Sequence, residues 1–387
     1  MDTLPASGYN LQPTSYKLLI VITQADWGGA QTFVFNLARE AMRRGCEVLL
    51  AFGGEGIMEA KCRDAGVPFQ KLKKMRRDIS PIHDMGAITE LVGLMREWKP
   101  DVLLLNSSKA GVVGSIAGRL TRVPKIIYRI GGWSFLDPVS PRQKAFRRWT
   151  ERLFASFKDT IVVNTPDGVE QATKHHIRPR GNVELVPNGI ALEPFDASLM
   201  PRDAARAALG VTDHAPLIFT IANFYPAKGL PVFLDALAIV AEARPDIRCI
   251  IIGDGEGRAA LEEQRRALEL DSIVSLPGQR PDAATVIRGA DLFVLPSLKE
   301  GFPWALLEAL AANVPAVSTD VGGVRWIVED TVSVVPPGDA PALAAAILDV
   351  LRDLPAAHIR ATHARRIVEE RFTEKQMWEK MFEIIQA

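Results

Sequence analysis

A continuous apolar run, 17-KLLIVIT-23, leads into the loop 24-QADWGGAQ-31 and then into TFVFNLAREAMRRG, where apolar positions recur at helical spacing up to a glycine stop. This pattern predicts a buried strand, a turn and a helix. The segments EVLLAF, DVLLLN and KIIYRI repeat the strand pattern between helical stretches, which predicts a mostly parallel α/β domain. Around 186-VPNGIALEPFD-196, proline and Asn-Gly turn signals interrupt the pattern, and 217-LIFTIANF-224 restarts it. The second half then runs through RCIIIGDG, SIVSLPG, ADLFVLPS and VPAVSTD, and its last periodic segment starts near Glu374. The expected organisation is a flexible segment 1–16, a first domain 17–190, a linker region 191–214, a second domain 215–371 and a C-terminal helix 372–387 packing back towards the first domain. The fold class is α/β, two doubly wound domains facing a cleft.

Length and composition agree with two domains. A chain of 387 residues with 48% hydrophobic content can bury two ordinary cores, each of about 150 to 200 residues. Lysine plus arginine and aspartate plus glutamate both total 46, so net charge gives no reason to expect a nucleic-acid polymer as partner. Cys46, Cys62 and Cys249 are odd in number and widely spaced, which fits a reducing cytoplasmic compartment rather than a disulfide framework. The apolar run 18-LLIVI-22 is too short to span a membrane and lacks the flanks of a signal peptide, leaving peripheral attachment at the inner face of a membrane as the membrane option.

Two basic tracts bear on that option. The first is 71-KLKKMRR-77, and the second, 142-RQKAFRRWTERLFASFK-158, interleaves cations with Phe146, Trp149, Leu153 and Phe157 at helical spacing. The second tract can be read as touching an anionic lipid surface. The favoured reading is an ordinary helix that buries the apolar stripe and solvates its arginines.

The chemistry concentrates in 296-PSLKEGFPWALLE-308. On one uninterrupted helix Glu300 and Glu308 would lie about 12 Å apart. Gly301 and Pro303 instead leave Glu300 in the approach loop and Glu308 inside the helix. The backbone of Gly301, Phe302, Pro303 and Trp304 presents helix-start N–H groups, proline excepted, that suit phosphate or sugar oxygens. The plainer readings are a charge beside a helix N-terminus for Glu300, a solvent-facing charge for Glu308 and a tight turn between them. Two further loops follow strands: 223-NFYPAKG-229, carrying Lys228, and 253-GDGE-256, with Gly253, Asp254 and Gly255.

Taken in order, WGGAQ, VPNG, NFYPAKG, GDGE and PSLKEGFPWALLE resemble the retaining glycosyltransferases of family 4, within the glycosyl transferases group 1. The resemblance covers nearly the whole chain. It implies the GT-B arrangement of two Rossmann-like domains and transfer of a sugar from a nucleotide-sugar donor to a saccharide or lipid-linked acceptor hydroxyl. It further implies bacterial surface-polysaccharide, lipopolysaccharide or glycolipid synthesis. By motif, Glu300 positions the transferred sugar, Glu308 binds the nucleotide ribose and Lys228 meets the donor phosphates, which makes Glu300 and Lys228 the catalytic candidates. Gly28 and Gly29 match the loop that closes over the donor phosphates, although a strand-to-helix turn would also explain the pair. Gly253, Asp254 and Gly255 are candidates to frame the nucleotide pocket through backbone contacts, with a structural turn as the equal alternative.

Two positions depart from the family pattern. Asn223 stands where relatives carry an arginine, and asparagine cannot supply its charge or fork. Gly131 stands where many have a histidine near the sugar; Arg129 and Ser134 are the candidates to compensate. Asn106, Ser107, Ser108 and Lys109, at a strand end, are candidate acceptor contacts, with helix capping and solvation as their plainer role. No DxD, HExxH or Cys/His cluster calls for a metal, and no cofactor is expected. Hydrolase chemistry would need carboxylates flanking one glycosidic bond, a role not assigned to Glu300 and Glu308. The alternatives are a nucleotide-sugar epimerase and a catalytically weakened nucleotide-sugar-binding protein, the latter motivated by Asn223 and Gly131.

Overall fold

The computed structural model describes residues 16–78 and 80–387. The segment expected at 1–16 therefore lies, Tyr16 apart, outside the described residues. The chain divides into two compact units: residues up to Ile130 with Thr150–Val162 and His176–Val183, and Gly131–Trp149 with Val163–His175 and Glu184–Ala387. Residues 131–149 and 163–175, placed by pattern in the first domain, thus cluster with the second unit.

The first sheet comprises β1 (Lys17–Ile22), β2 (Glu47–Phe52), β3 (Phe69–Lys71), β4 (Val102–Asn106), β5 (Lys125–Ile130), β6 (Thr160–Val163) and β7 (Val183–Leu185), in the order β3-β2-β1-β4-β5-β6-β7. The β3–β2, β2–β1, β1–β4 and β4–β5 pairs are parallel. Leu18, Leu19, Ile20 and Val21 are fully buried, as expected of a parallel strand covered on both faces. The following helix runs Gly29–Arg43, beginning inside the segment read as a loop, and buries Phe33, Val34, Leu37, Ala38 and Ala41.

The second sheet comprises β8 (Leu217–Ile221), β9 (Arg248–Ile252), β10 (Val274–Gly278), β11 (Leu292–Leu295), β12 (Ala316–Thr319) and β13 (Ser333–Val335), in the order β10-β9-β8-β11-β12-β13. Its adjacent pairs are parallel. In both sheets the winding direction reverses beside the first strand, between β1 and β4 and between β8 and β11. In open α/β sheets, ligands bind outside the carboxyl ends of the strands at such reversals. The helix Trp304–Ala311 follows β11 and buries Leu306, Leu307 and Leu310, the residues expected to anchor it.

Two expectations need correction, and a third gains detail. The region 191–214 is not a plain linker: it folds into helices Leu192–Ser198 and Arg202–Ala208, and the second is tied to the sheet by Asp291. Arg202 and Arg206 reach that carboxylate at 2.6 and 3.3 Å, and the Leu217 amide donates to it at 2.8 Å. The C-terminal helix Glu374–Gln386 begins with a Thr373/Gln376 capping box, and Ile190 bridges to Thr373. It packs on the 189–190 segment, the end of the first domain as read from the sequence, which clusters here with the second unit. Finally, the helix Pro141–Leu153 leaves Phe146, Trp149 and Leu153 exposed instead of burying them.

Candidate functional site

The carboxyl ends of β8 and β11 bring together two residues that lie 72 positions apart. Lys228 Nζ contacts Glu300 Oε1 at 2.6 Å, and Ser297 Oγ donates to the same oxygen at 2.7 Å. Local chemistry explains the convergence. Pro226 opens a single 3-10 turn, Pro226–Lys228, and Gly229 ends it at φ +65°, a left-handed conformation in which a Cβ would lie 2.1 Å from the Pro296 carbonyl. The amides of Leu298 and Lys299 then both donate to the Ala227 carbonyl, binding the PAKG turn to the SLKEG loop. Both charged side chains are partly buried, so the pair keeps a positive and a negative group at the edge of the sheet.

The 253–257 loop closes the flank. Gly253, at φ +148°, passes so close to the 222–224 segment that a Cβ would meet the Ala222 carbonyl at 1.8 Å. Phe224 donates its amide to the Asp254 carbonyl. The Asp254 carboxylate accepts from Arg258 and from the Gly255 amide, and these bonds hold it below the usual carboxylate range. Its side chain thus shapes the loop. Asn223 is partly exposed on the neighbouring segment, its carbonyl accepting from the Tyr225 amide.

Gly301 adjoins Glu300 at a point of very close backbone approach: a Cβ there would lie 1.7 Å from the Gly131 carbonyl. The Gly301 carbonyl accepts from the Gly323 amide at 3.2 Å. Gly131 itself is exposed, and a Cβ built on it meets nothing within 4 Å. Phe302 has its side chain in the core against Phe372 and Trp326, so only its backbone faces the loop; its carbonyl accepts from Asn188 of the VPNG motif at 3.2 Å. Pro303 is the N-cap and Trp304 the first residue of the helix carrying Glu308. Glu308 is partly buried, and desolvation pushes its carboxyl up to about 7; among the described residues no cation pairs with it. Ser134 lies in the short turn Ser134–Leu136, where its carbonyl accepts from Arg147.

The remaining predicted residues belong to the first unit. Gly28 is the N-cap of the helix Gly29–Arg43, with φ −168°, an extended backbone open to any residue, so its dihedral does not demand glycine. Ser107 Oγ bonds Thr23 Oγ1 at 2.6 Å across the reversal between β1 and β4 and caps the helix Ser108–Leu120 by accepting from the Ala110 amide. Its φ of +132° is rare for a residue with a side chain. Asn106 and Arg129 are buried and bonded to each other at 3.1 Å, with the Arg129 guanidinium 3.5 Å from the Phe33 ring centroid. Burial lowers Arg129 to about 9. Ser108 starts the helix, and Lys109 is held by Asp84 at 2.6 Å. Arg129 and Asn106 are therefore framework beneath this edge, and Ser107 and Lys109 take up the capping and pairing roles.

Sequence reasoning passed over Ser297, Lys299, Asp137 and the 320-DVGG-323 turn. Lys299 pairs with Asp137 at 2.9 Å, and Gly322 packs on the Glu300–Gly301 backbone. The diglycine after β12 was the available signal. Among the described residues no group of three or more His, Cys, Asp or Glu is placed to hold a metal ion.

Two family models match this chain, one in each half. The family model for glycosyl transferases group 1 matches residues 201–367, and that for the glycosyl transferase 4-like domain matches residues 28–189. A UDP-Gal:alpha-D-GlcNAc-diphosphoundecaprenol alpha-1,3-galactosyltransferase of Escherichia coli is 28% identical over 257 residues, covering 66% of this chain and 66% of that protein, just under two thirds of its length. A D-inositol 3-phosphate glycosyltransferase of Rhodococcus opacus is 26% identical over 347 residues, covering 82% of this chain and 77% of that protein. The Anabaena protein HepE, solved in complex with UDP-glucose, superposes with a TM-score of 0.82 at 21% identity, covering 96% of this chain and 99% of its own. That likeness concerns the fold, two α/β units of the GT-B class. With the two family models together spanning most of its length, this chain belongs to the glycosyl transferases group 1, with a glycosyl transferase 4-like first half.

Proposed function

We propose that the protein transfers a glycosyl unit, with retention at the anomeric carbon, from a nucleoside-diphosphate sugar to a hydroxyl of a saccharide or lipid-linked acceptor. The carrying observation is the Lys228–Glu300 pair at the β8/β11 reversal, beside the backbone of Gly301 and the start of the Glu308 helix. The Escherichia coli and Rhodococcus relatives, named for transfer to a diphosphoundecaprenol-linked sugar and to inositol phosphate, support a polar or lipid-linked acceptor. HepE, solved with UDP-glucose, supports a nucleotide-sugar donor. A role in bacterial surface glycan assembly, on the cytoplasmic side of a membrane, fits this acceptor class.

In this reading Lys228 turns from Glu300 towards the diphosphate and stabilises the negative charge that grows as the anomeric carbon–oxygen bond breaks. The acceptor oxygen forms the new bond on the same face, and its proton passes to the departing phosphate oxygen. Glu300, freed from Lys228, accepts hydrogen bonds from the transferred sugar. Glu308 accepts from the ribose hydroxyls. The leaving charge is met by Lys228 and backbone amides, and no cofactor is assigned. Thr23 and Ser107 mark the acceptor-facing edge of the first unit.

The test incubates a panel of nucleotide sugars with saccharide and lipid-linked acceptors and follows donor and product by mass spectrometry. Acceptor-dependent glycosylated product is expected. Altered free sugar would point to epimerisation, and binding without turnover to a nucleotide-sugar-binding protein. Lys228→Ala should lower kcat by at least about a hundredfold, the scale of one lost transition-state stabiliser. Glu308→Gln should act mainly on donor affinity and Glu300→Gln mainly on turnover. Unchanged constants in all three would overturn the assignment. Asn223→Arg should tighten donor binding by restoring the missing charge.

A further inference from the structure

The helix Pro141–Leu153 is built inside out. Its inward contacts are polar: Arg147 donates to the Ser134 carbonyl and to Asp137 at 2.9 and 2.6 Å, and one turn later Glu151 is buried, accepting from Tyr128 at 2.9 Å. Its outward residues are large and apolar, with Phe146 49%, Trp149 57% and Leu153 46% exposed. Phe146 and Trp149 stack with centroids 6.3 Å apart, forming one aromatic surface. Such side chains normally face the core, because leaving them in water forfeits the burial free energy they carry. Here the inward positions are taken by polar anchors, so the helix cannot roll to hide them without breaking those bonds.

The exposed charges of this helix share one sign. Arg142, Lys144, Arg148 and Arg152 are exposed on the same helix, and its sole carboxylate, Glu151, is buried. A net charge of zero for the whole chain makes this a local concentration of cations rather than a general basic character. Exposed tryptophan and phenylalanine ringed by arginine and lysine suit the boundary between lipid headgroups and acyl chains, where rings enter the apolar layer and cations meet lipid phosphates. Among the described residues no helix is long and apolar enough to cross a membrane, so contact of this kind would be from the surface.

We infer that the outer face of the helix Pro141–Leu153 docks the protein onto an anionic lipid surface, with Phe146, Trp149 and Leu153 inserted and Arg142, Arg148 and Arg152 against lipid phosphates. The inference does not rest on the transfer reaction, since vesicle binding is read without donor or acceptor.

The experiment is sedimentation of the full chain with vesicles of phosphatidylcholine alone and of an equal mixture with phosphatidylglycerol. Binding to the mixed vesicles only, weakened by high salt, is expected. Phe146→Ser with Trp149→Ser, and separately Arg148→Glu with Arg152→Glu, should each weaken it by about tenfold or more. All four residues are exposed, and circular dichroism verifies that the variants keep their fold. Trp149→Phe should retain binding while losing the tryptophan quenching that brominated lipids produce in the parent chain. Absence of binding, equal binding to neutral vesicles, or variants that sediment like the parent would overturn the inference. So would a concentration-dependent dimer abolished by Phe146→Ser with Trp149→Ser, which would make this face a contact between copies of the chain.

Discussion

Gly301 and Gly131 show how one side-chain atom separates architecture from chemistry. A Cβ at Gly301 would sit 1.7 Å from the Gly131 carbonyl, whereas a Cβ at Gly131 meets nothing within 4 Å. Gly301→Ala is expected to displace the loop that carries Glu300, costing about 1–3 kcal/mol of stability and most of the activity. Gly131→Ala should leave thermal stability unchanged, and Gly131→His, whose Cβ meets no neighbour, makes the family's missing imidazole testable in this chain. Glu308 carries the other prediction at this scale. Its carboxyl is raised to about 7 from an ordinary 4.5, so between those values the folded state holds a proton that the unfolded chain has released. Stability must therefore fall as pH rises through that window and level off above it, by roughly 3 kcal/mol in total. Urea titrations near both ends of the window should show this slope in the parent chain and its loss in Glu308→Gln; equal slopes would remove the burial argument. Glu300 and Lys228 were legible in the sequence through the family motifs that carry them, since a turn beside a charged residue alone reads as an ordinary solvated loop. Their direct pairing was not.

At the scale of elements, short helices gave the sequence reading most trouble. Arg202–Ala208 spans seven residues, too few to be stable alone, and its pattern reads as linker. What holds it is the Asp291 carboxylate, from the residue just before β11, more than eighty positions away. Asp291→Ala leaves the buried Arg206 without its carboxylate, although the Asp213, Ala215 and Gly289 carbonyls remain as partners. A loss of about 3–5 kcal/mol is expected, read as a lower urea midpoint. An unchanged midpoint would show that those carbonyls suffice for Arg206. The helix Pro141–Leu153 fails in the opposite sense: its apolar spacing was legible, but its sidedness was not. Periodicity shows that residues share a face, and only the anchors Arg147 and Glu151 decide which way that face turns.

For the whole molecule, the sequence by itself determined two runs of parallel strands, the turns after them and the residue types at the strand ends. Each of these depends on interactions within a few residues: unbroken apolar runs for buried strands, glycine and proline for turns, a helix start for anion-binding amides. It also determined the family, since the ordered motifs are local strings. Tertiary structure alone decided which strand ends become neighbours. The reversal between β8 and β11 sets PAKG against SLKEG, and that between β1 and β4 sets Thr23 against Ser107. It likewise assigned residues 131–149 and 163–175 to the second unit and turned Phe146 and Trp149 outward. The physical reason is the same in each case. Strand order and helix orientation are settled by the burial and pairing of groups far apart in the chain, and no local pattern encodes which distant partner a residue will meet.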